Sequence, residues 1–379
     1  MSKTLYIDHE GGHMVEIIPG AIGDVTVPWL EHALRDEQVI GENVRITSID
    51  VRPLGEGVGM LGDLARVVVD YDPPGAGPAK VVVKVPTTAD VNRKRGMAFG
   101  FYEREANFYR HIGNPGRTGG LRVPRCFASP MEPAGERFAL VLEDLTDDYR
   151  MPDQVVGLQL DDARVAITAL AGFHASWWEH DDLDRLEWLP PSNGPITKQA
   201  GPVYRQAWPV FVERFGELIP DGGRAVGEAV GPCFEQLLDD GAAGPHSIVH
   251  TDFRLDNLFF DGPDADVALI DWQLMTRGGS VYDIAYLLGQ SMDRSLRAAH
   301  EPELLRLWHE TLAEHGVTNY SFDDAWRDYR RSALVNLVIP ISLAELDHGN
   351  ERGVQLVRML SDRAFGAAVE LDALDLLPS

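Results

Sequence analysis

The spacing of apolar residues changes along this chain. Through roughly the first 145 residues they alternate with polar ones or form short β-branched runs, and from Leu158 onward they return every three to four positions. The first pattern predicts strands at 44–51, 65–71 and 80–86, then a strand-turn-strand unit at 125–128 and 137–142. Two helices are predicted within this part, one over 27–34 opening at Pro28 and one over 101–109. Between the third strand and the second helix, Arg93, Lys94 and Arg95 read as a solvated loop. The second pattern predicts a long amphipathic helix over 161–178, whose acidic start suits the helix dipole. Further helices are expected near 210–218, 227–238, 303–314, 322–344 and 353–367, and the tail 372–379 is expected to fray. Short apolar runs at 247–249, 258–260 and 267–270 interrupt the helical part. The chain is therefore expected to be α+β, with a small strand-rich domain at 1–146, a larger mainly helical one at 147–379, and a Gly/Pro/Asp-rich boundary near 146.

The polar residues that carry chemistry sit at the ends of those short runs. His250, Asp252 and Asn257 reproduce the spacing of a phosphotransfer loop, in which the Asp accepts a hydroxyl proton and an Asn five residues later binds a metal. Asp271 ends the next strand, where that pattern keeps its second magnesium ligand. Upstream, Gly55, Gly57, Gly59 and Gly62 lie between two predicted strands, where backbone amides can close over phosphates without side-chain obstruction. Lys84 sits in a β-branched strand, where an unpaired ammonium would be costly and some anion must satisfy it. A Glu on the helix that follows is the expected partner, and Glu103 and Glu105 lie about 200° apart round it, so only one can face Lys84; the resemblance described next selects Glu105.

These motifs together resemble the aminoglycoside phosphotransferase and choline kinase superfamily. Ile270-Asp271-Trp272-Gln273, Tyr282-Asp283-Ile284-Ala285-Tyr286 and the Glu105-x-x-Phe108-Tyr109 pattern lean towards its ecdysteroid-kinase-like branch. One departure is Thr251, where many members carry Gly; it removes backbone freedom but no catalytic group. The resemblance implies a bilobal protein-kinase-like fold, with a small antiparallel-sheet N-lobe and a larger helical C-lobe. It also implies transfer of the γ-phosphoryl group of ATP to a small-molecule hydroxyl, with Mg2+ held by Asn257 and Asp271. Asp252 would be the catalytic base, and Lys84, braced by Glu105, would position the phosphates under the glycine loop. Backbone groups from Leu142 to Leu145, including Glu143 and Leu145, would meet the adenine. Asp283 would brace the catalytic loop, and His174 and His250 would serve packing and support. Two other readings are an aminoglycoside-resistance enzyme, with ATP or GTP as donor, and a catalytically silent pseudokinase-like nucleotide binder.

Composition narrows the partners. A formal charge of −25 argues against nucleic acid, which needs a basic surface to displace counterions. Twelve acids fall between Glu143 and Glu187 against three arginines, which could guide a cation towards a cleft and suggests a cationic acceptor, whereas the ecdysteroid-kinase-like resemblance implies a sterol-like one. Apolar runs fall far short of a bilayer span, and the N-terminal residues lack an export signal, so no membrane and a cytoplasmic location are expected. Cys126 and Cys233 read as quiet thiols rather than a disulfide.

Overall fold

The computed structural model describes residues 6–7, 14–15, 18–54, 61–132, 137–264, 266–344 and 351–378. The chain divides into two compact units, Met1–Asn114 with Val123–Asp147, and Pro115–Arg122 with Asp148–Ser379.

The first unit is built on five antiparallel strands. These are β1 (Arg45–Leu54), β2 (Gly62–Asp72), β3 (Lys80–Pro86), β4 (Cys126–Ala128) and β5 (Leu140–Glu143). They pair in the order β1-β2-β3-β5-β4. Helix α1 (Val27–Asp36) starts where Thr26 accepts the Trp29 N–H and Pro28 occupies the first turn. Its Trp29, Leu30 and Leu34 pack into one cluster with Val67, Val69, Val81, Val83 and Val85 of the sheet. Side chains alternate faces along a strand, so once Val81, Val83 and Val85 turn towards α1, Lys84 must turn to the opposite face. Helix α3 (Phe101–His111) supplies Glu105 to that lysine.

The segment carrying Arg93, Lys94 and Arg95 is not a loop. It forms helix α2 (Asp90–Ala98), because Asp90 at its first position draws Arg93 to 2.8 Å and Lys94 to 3.6 Å, one turn along.

The second unit is mainly helical. It contains α4 (Leu160–Ser176), α5 (Ala200–Phe215), α6 (Gly223–Gly241), α7 (Val281–Ser291) and α8 (Arg294–Glu314). The remaining helices are α9 (Phe322–Val335), α10 (Val338–Leu343) and α11 (Glu351–Glu370). Four short strands lie between α6 and α7: β6 (Ser247–Val249), β7 (Leu258–Phe259), β8 (Ala268–Leu269) and β9 (Thr276–Gly278). β6 pairs with β9 and β7 with β8, both antiparallel.

Two expectations for this unit fail for identifiable reasons. The single helix expected over 322–344 breaks after Val335, because Pro340 has no N–H to offer the carbonyl of Asn336 four residues earlier. That carbonyl instead accepts the Ile339 N–H at 3.1 Å and the Gln290 side chain at 3.2 Å. The tail does not fray through 378. It makes a 3-10 turn at Ala373–Leu376, with Ala373 fully buried and Arg330 bound to the carbonyls of Leu371 and Asp372.

Both cysteines are free thiols, and burial pushes the Cys126 thiol up to about 12, which keeps it protonated and inert. Among the described residues no helix is long and apolar enough to cross a membrane.

Candidate active site

In the first unit Lys84 and Glu105 form a buried pair. The Lys84 ammonium lies 2.9 Å from Oε1 and 2.7 Å from Oε2 of Glu105, with side-chain exposures of only 7% and 1%. Glu103, its alternative on the same helix, is exposed. Gly62 follows from the same geometry, since a Cβ there would sit 2.9 Å from Lys84 Cε and displace the stem that carries the ammonium. Gly55, Gly57 and Gly59 lie outside the described residues.

The segment from Glu143 to Asp147 is stitched to this sheet by three side chains. Glu143 accepts the Arg125 N–H at 2.9 Å, and Arg66 on β2 donates to Asp144 at 2.5 Å and to the Thr146 hydroxyl. Lys80 on β3 pairs with Asp147. Leu145 is buried beside them.

In the second unit one loop gathers the other candidates. It runs from the end of β6 to the start of β7, and Asp283 in the first turn of α7 pins it. One Asp283 oxygen accepts the His250 N–H at 2.7 Å and the other the Thr251 N–H at 2.8 Å. Deeper in, Leu255 N–H bonds Gln154 at 3.0 Å and Ser291 at 3.2 Å. Because backbone donors of this loop end on buried side chains, its shape is set by the helices around it.

His250 is held on both nitrogens. Its Nε2 faces the Ile270 carbonyl at 3.0 Å, which can only accept, and its Nδ1 accepts the Asp252 N–H at 3.3 Å. That leaves the ring a fixed tautomer and a bracing role. Trp272 packs edge-on against it at 4.8 Å between ring centroids.

Asp252 projects from this frame with its side chain 16% exposed. Asn257 Nδ2 donates to its Oδ2 at 3.0 Å and to its carbonyl at 2.9 Å, while the Tyr286 hydroxyl donates to Oδ1 at 2.8 Å. Burial, and then the charge of Asp252, raise the Tyr286 hydroxyl well above its ordinary value, so it stays protonated and donates. The carboxylate is thereby oriented while keeping lone pairs for a substrate proton.

Asp271 is brought beside Asn257 by the β7–β8 ladder. Leu258 pairs with Leu269, and the Ile270 N–H bonds the Asn257 carbonyl at 3.0 Å. Asp271 itself adopts φ +65°, a left-handed turn that Asp tolerates better than most residues. With Nδ2 of Asn257 committed to Asp252, its amide oxygen remains, and Asp271 adds carboxylate oxygens. Hard oxygen donors in such small number suit Mg2+, which takes few protein ligands and shares itself with substrate phosphates. Among the described residues no group of three or more His, Cys, Asp or Glu could hold a metal by itself.

The sequence pattern did not single out Tyr286 as a partner of Asp252, although it lies one helical turn after Asp283 and so shares its face. It also passed over Arg254, whose Nε lies 3.5 Å from Asp252 and whose Nη1 lies 3.5 Å from Asp256. His174 is fully buried between Asp283, at 3.2 Å, and Trp308, at 3.1 Å. Of the aromatic residues further along, Trp177 and Tyr204 are core, and Trp178 and Trp208 are half-buried.

This pairing of a five-stranded sheet unit with a helical unit is the α+β protein-kinase-like fold. A choline kinase from Cryptosporidium parvum superposes with a TM-score of 0.53 at 11% identity, over 91% of this chain and 94% of that one. A protein from Ralstonia eutropha, an aminoglycoside phosphotransferase by assignment only, gives 0.52 at 17% identity over 92% and 98%. A GDP-bound variant of aminoglycoside 2'-phosphotransferase-IIIa gives 0.51 at 13% identity over 90% and 100%. These likenesses establish the fold. The family is fixed by sequence: residues 56–318 match the ecdysteroid kinase-like family, and the chain belongs to it. Among curated proteins, acyl-CoA dehydrogenase family member 10 of Mus musculus is 32% identical over 113 residues, 26% of this chain. The match spans only 11% of that protein.

Proposed function

We propose that this protein moves the γ-phosphoryl group of Mg-ATP onto a hydroxyl of a small-molecule acceptor. The observation that carries the reading is the Asp252 carboxylate, aimed by Asn257 and Tyr286 on a loop that Asp283 pins. Asp252 is the base, taking the proton of the acceptor hydroxyl as that oxygen attacks the γ-phosphorus. Asn257 and Asp271 would hold magnesium, which when bound neutralises phosphate charge. Lys84, kept in place by Glu105, would bind the nucleotide's phosphates, helped by the backbone at Gly55, Gly57 and Gly59. Backbone groups of Glu143 and Leu145 would take the adenine. With a loose transition state, positioning and neutralisation supply most of the acceleration.

The test has two parts. Asp252→Asn should abolish transfer while Mg-ATP binding, measured by calorimetry, stays within about threefold of the parent; wild-type turnover in that variant removes Asp252 from the role. ADP release is then measured with ATP and GTP against aminoglycosides, choline-like amines and hydroxylated sterols. Binding without release on any acceptor would favour a silent nucleotide binder.

A further inference from the structure

Helix α7 is enclosed on almost every side. Val281 and every residue from Asp283 to Ser291 are buried, as is Ser280 just before the helix. Tyr282 is the exception, only half-buried and in contact with solvent. A side chain that reaches water from an otherwise covered helix lines a hollow rather than an outer face. Two observations place that hollow beside Asp252. Tyr286, one turn further along the same face, donates to Asp252 Oδ1 at 2.8 Å, and its ring centroid lies 6.1 Å from that of Tyr282. The charges that act on the Tyr282 hydroxyl are those of Asp283 and Asp252; burial first, then these two, raise it above its ordinary value, so it stays protonated.

The two tyrosines differ in what their hydroxyls do. Tyr286 commits its O–H to Asp252, whereas the Tyr282 hydroxyl has no hydrogen-bond partner among the described residues and is not sealed from solvent. A protonated phenol beside the carboxylate that takes the acceptor hydroxyl is a donor held ready for a second oxygen of the same molecule. Its ring meanwhile offers an apolar surface to the carbon skeleton between the two oxygens. We propose that Tyr282 is an acceptor-binding residue whose hydroxyl donates to an oxygen on the carbon next to the one phosphorylated, so that the site favours vicinal diols, and their keto and ether counterparts, over simple alcohols. The assignment rests on the phosphotransferase reading above. It adds a specificity element and moves no proton, since Asp252 remains the base.

The experiment measures ADP release by wild type and Tyr282→Phe with Mg-ATP and two probe acceptors of one skeleton, trans-1,2-cyclohexanediol and cyclohexanol. Wild type should show a kcat/KM at least about fivefold higher for the diol, as expected for one neutral hydrogen bond. In Tyr282→Phe, which keeps the ring, that ratio should fall to about twofold, the statistical advantage of two hydroxyls, with the loss in KM for the diol and Mg-ATP affinity by calorimetry within about twofold of the parent. Because the ratio compares two acceptors on one protein, a variant that folds less well lowers both rates and leaves it unchanged. A ratio kept in Tyr282→Phe therefore overturns the assignment. So does a wild type that shows no preference for the diol, or that phosphorylates an aminoglycoside, amine or sterol but neither probe. If wild type releases ADP with no acceptor at all, the phosphotransferase reading falls and takes this one with it.

Discussion

Asp283 holds Thr251 in a backbone conformation that β-branched residues avoid. Thr251 has φ +64°, its N–H bonds Asp283 Oδ1 at 2.8 Å, and its hydroxyl donates to the Leu274 carbonyl at 2.6 Å. The left-handed region costs an L-residue about 1–2 kcal/mol, and the hydroxyl bond returns about 1 kcal/mol. Thr251→Gly removes the strain and the bond together, so its stability should lie within about 1 kcal/mol of the parent. Thr251→Val keeps the strain and leaves the Leu274 carbonyl unpaired, and should lose about 2–3 kcal/mol. Urea unfolding of the two variants checks the order; equal losses would show that the backbone strain contributes nothing.

Lys84 and Glu105 allow binding and stability to be separated. Lys84→Met leaves Glu105 buried without its ammonium, which should cost about 3–5 kcal/mol, whereas adding Glu105→Leu should return most of it. Nucleotide affinity should be lost in both variants, because the cation is missing in both. A double mutant that regains stability and also binds Mg-ATP like the parent would take Lys84 out of phosphate binding.

How far the sequence speaks can be judged from particular residues. The need of Lys84 for a buried anion was readable from its place in a β-branched strand, Glu105 rather than Glu103 from the Glu-x-x-Phe-Tyr family pattern, and the loop residues His250, Asp252 and Asn257 from spacing. What spacing could not carry was the source of each second partner. Tyr286 reaches Asp252 from a helix, and Gln154 reaches Leu255 from a turn 101 residues away, through tertiary packing that no local pattern encodes. Helix α2 was missed because three adjacent basic residues look like a solvated loop until Asp90 is seen at their N-terminal side. The break after Val335 was legible in principle from Pro340, but not the Gln290 side chain that joins the Ile339 N–H on the Asn336 carbonyl.

Asn257 should couple metal to nucleotide. Its Nδ2 is bound to Asp252, so the amide oxygen is what it can offer to magnesium. Asn257→Leu should leave nucleotide affinity without magnesium unchanged and raise the magnesium concentration needed for tight ATP binding by about tenfold or more. A magnesium titration at fixed ATP reads this directly, and an unshifted curve would place the metal elsewhere.

Acid should loosen the first unit through Asp144. Its side chain is fully enclosed. Burial alone would raise this carboxyl, but the hydrogen bonds from Thr146 and Arg66 hold it below its ordinary value of 3.8. A carboxyl lowered in the folded state contributes stability above its ordinary value and loses that contribution as pH falls through and below it. Stability against urea should therefore decline below about pH 4, and Asp144→Asn should make that decline shallower while lowering stability at neutral pH. Parallel pH profiles for parent and variant would refute the assignment.

His174 gives a test of the frame beneath the catalytic loop. The Trp308 indole can only donate, so His174 Nδ1 must accept from it at 3.1 Å, which places the ring proton on Nε2, facing Asp283 at 3.2 Å. That proton is the third donor to the carboxylate that already holds the His250 and Thr251 N–H groups, so removing it should act on the loop as well as on the core. His174→Phe fills the space but strands the indole N–H and one Asp283 lone pair, and should cost about 2–4 kcal/mol. His174→Gln, able to donate to Asp283, should recover catalysis more fully than stability, because it restores the contact to the loop brace without the fit of the ring. Long-range 15N NMR at pH 8 should show the Nε2–H tautomer in the parent; the Nδ1–H form would mean that Trp308 is not bonded to this ring.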